Sequence, residues 1–124
     1  MARILVAEDE EPLRILIVRA LSEAGHDVSS ACDGAQALAT LERDHGRFDL
    51  LLTDIKMPIM DGIALALAVA RDHPQIRIVL MTGYADQRER AYGLDALIRA
   101  VVSKPFSVSE IQAAVADALS RPRQ

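Results

Sequence analysis

Five short, unbroken apolar runs separated by stretches of helical period constrain this chain more than any other feature. The first, residues 4–7, is apolar on both faces, as a parallel strand covered from both sides requires. From Leu13 the period changes. Leu13, Leu16, Ile17, Ala20, Leu21 and Ala24 fall at helical spacing, and Gly25 supplies a stop. Residues 28–32 form a more polar run that suits a sheet edge, and Asp33 is placed to cap a helix carrying Ala37, Leu38 and Leu41 that ends near Gly46. The third run, 48–53, centres on Leu50, Leu51 and Leu52. Past a loop with Met57, Pro58 and Met60, Asp61 or Gly62 opens a helix through Ile63, Leu67 and Ala70. Residues 76–81 are the fourth strand, and 85–97 carry a weaker helical pattern interrupted by Gly93. Val101 and Val102 mark a fifth strand. Ser107 and Glu110 then make a capping box ahead of Ile111, Ala114, Val115, Ala118 and Leu119.

Parallel strands need long crossovers, and those crossovers are almost always right-handed. Five βα units therefore predict one doubly wound α/β domain: an open five-stranded parallel sheet with five helices on its two faces. At 124 residues the chain reads as a single domain over 1–120 with a polar, fraying tail at 121–124, too short to hold an output module as well. A content of 51% hydrophobic and 26% charged residues is that of a globular domain. The formal charge of -4 argues against nucleic-acid binding, and no apolar run approaches the roughly 20 residues that cross a bilayer. Cys32 is the only cysteine and no secretory signal opens the chain, so a cytoplasmic location is expected.

In such folds ligands bind beyond the carboxyl ends of the strands. Glu8, Asp9, Glu10 and Glu11 follow the first run, Asp54 ends the third, Thr82 and Gly83 the fourth, and Ser103, Lys104 and Pro105 the fifth. Each alone has a bland explanation, such as an acid favouring a helix start or a solvated surface lysine. Jointly they do not. Clustered carboxylates raise one another's pKa unless a cation sits among them, and hard oxygen ligands without a calcium-binding loop favour Mg²⁺. The Thr82 hydroxyl and the Lys104 ammonium suit a phosphoryl oxygen, Gly83 leaves the site open, and Asp54 is central enough to act as a carboxylate nucleophile. The chain has only two lysines, Lys56 and Lys104, against twelve arginines. Both flank Asp54, and at Lys104 a compact ammonium is not replaced conservatively by a planar guanidinium.

These stretches, ILVAEDEE at 4–11, DLLLTDIKMPIMDG at 49–62, VLMTGYAD at 79–86 and SKPF at 103–106, resemble the receiver domain of bacterial two-component response regulators over nearly the whole chain. The resemblance implies a flavodoxin-like sheet of strand order 2-1-3-4-5 and a Mg²⁺-dependent aspartyl phosphate formed on Asp54. It makes Asp9 a direct metal ligand, Glu8 a ligand acting mainly through water, and the Lys56 carbonyl the completion of the shell. Thr82 becomes the switch hydroxyl and Lys104 the phosphate-contacting lysine, aimed by a cis bond to Pro105. One position departs from the family: Val101 stands where receivers usually carry a switching aromatic, and Tyr84 is the nearest substitute ring. Among stand-alone receivers the combination is most similar to the CpdR type, a regulated adaptor for proteolysis.

Two functions follow. The first is a single-domain response regulator in a phosphorelay, not an enzyme acting on other molecules, that catalyses its own phosphorylation and dephosphorylation. It would take phosphate from a sensor histidine kinase or a histidine phosphotransfer protein, and signal to a protein partner through the fourth helical segment, the fifth strand and the fifth helix. The alternative is a constitutive interaction module whose acidic site does no chemistry. A flavin-binding flavodoxin is excluded, because Glu8 to Glu11 would repel the cofactor phosphate and no glycine-rich phosphate loop occurs.

Overall fold

The computed structural model describes residues 2–83, 94 and 96–121. Its elements are β1 (Arg3–Ala7), α1 (Glu11–Glu23), β2 (Asp27–Ala31), α2 (Gly34–Arg43), β3 (Leu50–Asp54), α3 (Gly62–Asp72), β4 (Arg77–Thr82), β5 (Ala100–Ser103) and α4 (Val108–Ser120). The five strands form one parallel sheet in the order β2-β1-β3-β4-β5. The polar second strand lies at the edge, where half its backbone groups meet no ladder partner and Asp27 and Ser30 are exposed to water. The helical pattern at 85–97 falls largely outside the described residues. Within it, Leu94 accepts hydrogen bonds from the N–H groups of Leu97 and Ile98 at 2.8 and 3.1 Å. Four helices are thus seen among the described residues, and the last corresponds to the fifth helix of the sequence pattern.

Strand alternation sorts the apolar residues into two cores. Leu5, Leu51, Ile78 and Leu80 point to one face and meet Ala37 and Leu41 of α2 and Leu65 and Val69 of α3. Ile4, Val6, Leu50, Leu52, Val79 and Met81 point to the other and meet Ile17 and Leu21 of α1 and Ile111 and Val115 of α4. Because β1, β3 and β4 are covered on both faces, their sequences read as continuous apolar runs. Full burial of each such side chain contributes about 1.5–3 kcal/mol, so the three central strands form the rigid part of the molecule.

The helix ends follow the sequence chemistry. Asp33 and Asp61 accept from the N–H groups of Gln36 and Ala64 at 2.7 and 2.8 Å, and Ser107 and Glu110 form a reciprocal capping box. Gly25, at φ 94°, ends the α1 turn in a conformation that a Cβ disfavours. None of the described helices is long and apolar enough to cross a membrane.

Candidate functional site

The register brings the strand ends level: Ala7 pairs with Thr53, Asp54 with Met81, and Thr82 with Ser103. Glu8 is the residue after β1, Asp54 closes β3, Thr82 closes β4, and Lys104 follows β5. Four residues distant in sequence are therefore brought to one sheet edge, and the side chains of three of them, Glu8, Asp54 and Lys104, meet there. Lys104 Nζ lies 2.8 Å from Asp54 Oδ2 and 3.0 Å from Glu8 Oε1. The other Asp54 oxygen accepts the Ile55 N–H at 2.9 Å, and the other Glu8 oxygen accepts the Glu10 N–H at 3.1 Å. Glu8 is fully buried, Asp54 and Thr82 nearly so, and Asp9 is exposed at the rim.

Three carboxylates share this edge with one half-buried ammonium. Burial disfavours the Lys104 ammonium, but its bonds to Asp54 and Glu8 outweigh that and hold its pKa above the ordinary lysine value. Glu8 is pushed up to about 7. Burial is the main cause, opposed by the Glu10 N–H; the charge of Asp54 adds to it, and Lys104 pulls the other way. Carboxylate oxygens of Glu8, Asp9 and Asp54 all lie within 4.8 Å of one another. Octahedral Mg²⁺ holds its oxygens about 2.1 Å away, so opposite ligands stand about 4.2 Å apart. Small side-chain rotations would bring the three acids to that spacing, and their excess negative charge over Lys104 matches a dication. The donor set fits Mg²⁺.

The raised Glu8 pKa has a stability consequence. Its folded value of about 7 exceeds the ordinary 4.5, so the stability this carboxyl contributes is present below pH 4.5 and is lost as pH rises through 7. In metal-free protein, Glu8→Gln should therefore gain on the wild type by about 3 kcal/mol between pH 4.5 and 7.5. Urea unfolding at both pH values measures the gain, and Mg²⁺ should shrink it by favouring the ionised form. A stability difference that does not vary with pH would contradict the assignment.

The remaining sequence-predicted residues divide. Lys56 and Gly83 line the cleft above Asp54, and the Lys104–Pro105 bond is cis. Val101 does not reach this cleft. From β5 it pairs with Leu80 of β4, packs against the α2–α3 core and lines a separate cleft between α3 and β5. Tyr84 lies outside the described residues. Sequence reasoning missed the direct Glu8–Lys104 ion pair and the Arg14 guanidinium, which donates to the Glu8 carbonyl at 2.9 Å and pins the β1–α1 turn. It also missed Leu13 and Phe106, which line the same cleft. Leu13 was legible only as a core position of α1, because helical period does not distinguish core from cleft wall.

Gly62 is placed by this site. Its N–H donates to the Ile55 carbonyl at 2.7 Å, and a Cβ built on it would overlap the Asp54 carbonyl oxygen. The α3 start can approach the end of β3 this closely only without a side chain.

Residues 4–116 match the family described as response regulator receiver domain. The chain is 39% identical to the response regulator receiver protein CpdR of Brucella abortus over 111 residues, 90% of this chain and 91% of that protein. It is 35% identical to the sensor kinase CckA of the same organism over 121 residues, 97% of this chain but only 13% of that much longer protein. Among solved structures, response regulator protein TrrA from Thermotoga maritima, in complex with Mg²⁺ and BeF, is 30% identical with a TM-score of 0.82, covering 95% of this chain and 99% of that one. With the 2-1-3-4-5 sheet and the acids, threonine and lysine gathered at its carboxyl edge, these likenesses show that the chain belongs to the response regulator receiver domain family.

Proposed function

We propose that this receiver, spanning residues 1–120, accepts a phosphoryl group on Asp54 from a histidine kinase or histidine phosphotransfer protein, and signals by phosphorylation-dependent protein contacts in the cytoplasm. The observation that carries this reading is the Asp54 carboxylate itself. It is buried, oriented by the Ile55 N–H and the Lys104 ammonium, and open on one side to a cleft walled by other acids. Those two hydrogen bonds fix the side chain before a donor arrives, so little orientational entropy is lost at reaction.

Asp9, Asp54 and the Lys56 carbonyl would hold Mg²⁺, with Glu8 acting through water; the ion supplies positive charge for the phosphoryl oxygens. Lys104 supplies the second charge. When the carboxylate becomes an acyl phosphate its negative charge moves outward onto the phosphoryl oxygens, and Lys104 Nζ, 2.8 Å from the attacked group, can follow it. Thr82, paired with Ser103 on the neighbouring strand, donates its hydroxyl and carries the change into the segment that follows Gly83. With Val101 in place of an aromatic ring, that segment transmits the signal without a ring-flip on β5. The likeness to CpdR favours an output by protein contact.

Incubation with phosphoramidate and Mg²⁺ tests the reading. The intact mass should rise by one phosphoryl group, the modification should map to Asp54, and a chelator present from the start should prevent it. A protein whose mass stays unchanged in excess Mg²⁺ and donor is not a phosphoacceptor.

A further inference from the structure

The turn between β1 and α1 carries two of the three acids of the cleft, and its conformation sets where both carboxylates stand. One planar peptide joins Glu8 to Asp9, so the direction of the Glu8 carbonyl governs how the chain leaves the first acid and enters the second. Main-chain bonds anchor the two ends of the turn. The Glu8 N–H donates to the Ala31 carbonyl at 3.0 Å, and the Arg14 N–H donates to the Glu10 carbonyl at 2.9 Å. Between these ends two side chains hold it: the Glu8 carboxylate accepts the Glu10 N–H at 3.1 Å, and the Arg14 guanidinium donates to the Glu8 carbonyl at 2.9 Å. The first of these bonds depends on the Glu8 rotamer and weakens if that side chain turns toward an ion. The second grips the backbone and does not.

Arg14 is half-buried and follows two exposed acids, Glu10 and Glu11, yet among the described residues its guanidinium pairs with no carboxylate and reaches a carbonyl instead. Resting on the reading of Glu8, Asp9 and Asp54 as the Mg²⁺ site, we infer that Arg14 is a positioning residue for the ion, tightening its binding through geometry against the effect of its own charge. A fixed cation beside the acids repels a dication. A charge-assisted bond to the carbonyl that links Glu8 to Asp9 holds both acids in place before the ion arrives, and so spares the cost of ordering the turn. Bonds that orient the groups of a metal site are worth tenfold or more in affinity. The two effects have opposite signs, so removing Arg14 loosens Mg²⁺ if position dominates and tightens it if charge does.

Amide NMR titration with Mg²⁺, in the absence of any phosphodonor, decides between them, and the metal-free spectrum of each variant verifies its fold. Arg14→Met keeps an unbranched side chain that helices accept while removing both the bond and the charge, and should raise the Kd for Mg²⁺ about tenfold. Arg14→Lys, whose ammonium can donate to the same carbonyl, should lie between that variant and wild type. Arg19→Met removes an exposed charge from the same helix without touching the turn, and should leave the Kd essentially unchanged. A Kd for Arg14→Met at or below that of wild type, or a rise that Arg19→Met matches, overturns the positioning role and leaves the metal site standing. Wild-type protein that binds no Mg²⁺ overturns the metal-site reading and this inference with it.

Discussion

Asp54→Asn should take no phosphoryl group from phosphoramidate or phosphoimidazole at any Mg²⁺ concentration, with residual label below about 1% of wild type. An amide nitrogen is no nucleophile, and its oxygen lacks the charge to attack phosphorus. The substitution also changes the electrostatics around it. Lys104 loses its closest partner, at 2.8 Å, and keeps only Glu8. Glu8 loses the neighbouring charge that helps to raise its pKa, so it ionises more readily and pairs better with Lys104. These two effects oppose each other, and the variant should stay folded. Mg²⁺ should bind it at least about tenfold more weakly, a loss of about 1.4 kcal/mol, because one of three carboxylates is gone. Mass spectrometry of the labelling mixture and an Mg²⁺ titration followed by thermal unfolding read both outcomes. Label retained on the asparagine variant would remove Asp54 from its role.

How much of this was legible in the sequence follows from what side-chain pattern encodes. A parallel sheet places every strand's carboxyl end at one edge, so locating the strands was enough to gather Glu8, Asp9, Asp54, Thr82 and Lys104. The pairing among them was not legible. That Lys104 lies between Glu8 and Asp54 depends on rotamers and on the register Thr82 to Ser103, which hydrophobic period does not specify. Strand ends slipped for a related reason. The sequence predicts a third strand from 48 to 53, but it begins at Leu50: Phe48 is buried while its N–H bonds the Gly46 carbonyl at 2.8 Å in a turn. Burial and ladder pairing are separate properties, and an apolar count sees only the first. At the other end Asp54 and Thr82 remain in the ladder although they are polar, because the parallel neighbours continue beside them. Ile59 had no signal at all. It is a β-branched residue at φ 70° and is 84% exposed, a conformation that costs about 1–2 kcal/mol and that no propensity predicts.

Gly62→Ala should be among the most damaging single-methyl additions in the protein, lowering stability by about 3 kcal/mol or more. The new Cβ would overlap the Asp54 carbonyl oxygen and come within 2.8 Å of its carbon and 2.9 Å of the Ile55 Cα. All three obstacles are backbone atoms, so no rotamer change relieves the collision. Either α3 moves away from β3, breaking the 2.7 Å hydrogen bond from the Gly62 N–H to the Ile55 carbonyl, or the end of β3 moves and carries the Asp54 side chain with it. The first response costs stability and the second costs chemistry. A real protein should divide the strain between them, so labelling should slow even in molecules that remain folded. The melting temperature should fall by roughly 10 °C or more for a domain of this size. Gly83→Ala is the matched control on the same cleft, because among the described residues its added Cβ meets nothing nearer than the Lys104 Cδ at 4.0 Å. Thermal unfolding of the two alanine variants side by side separates a general cost of removing glycine from this specific collision. A Gly62→Ala protein within about 1 kcal/mol of wild type would mean that the α3 start does not hold Asp54 in place.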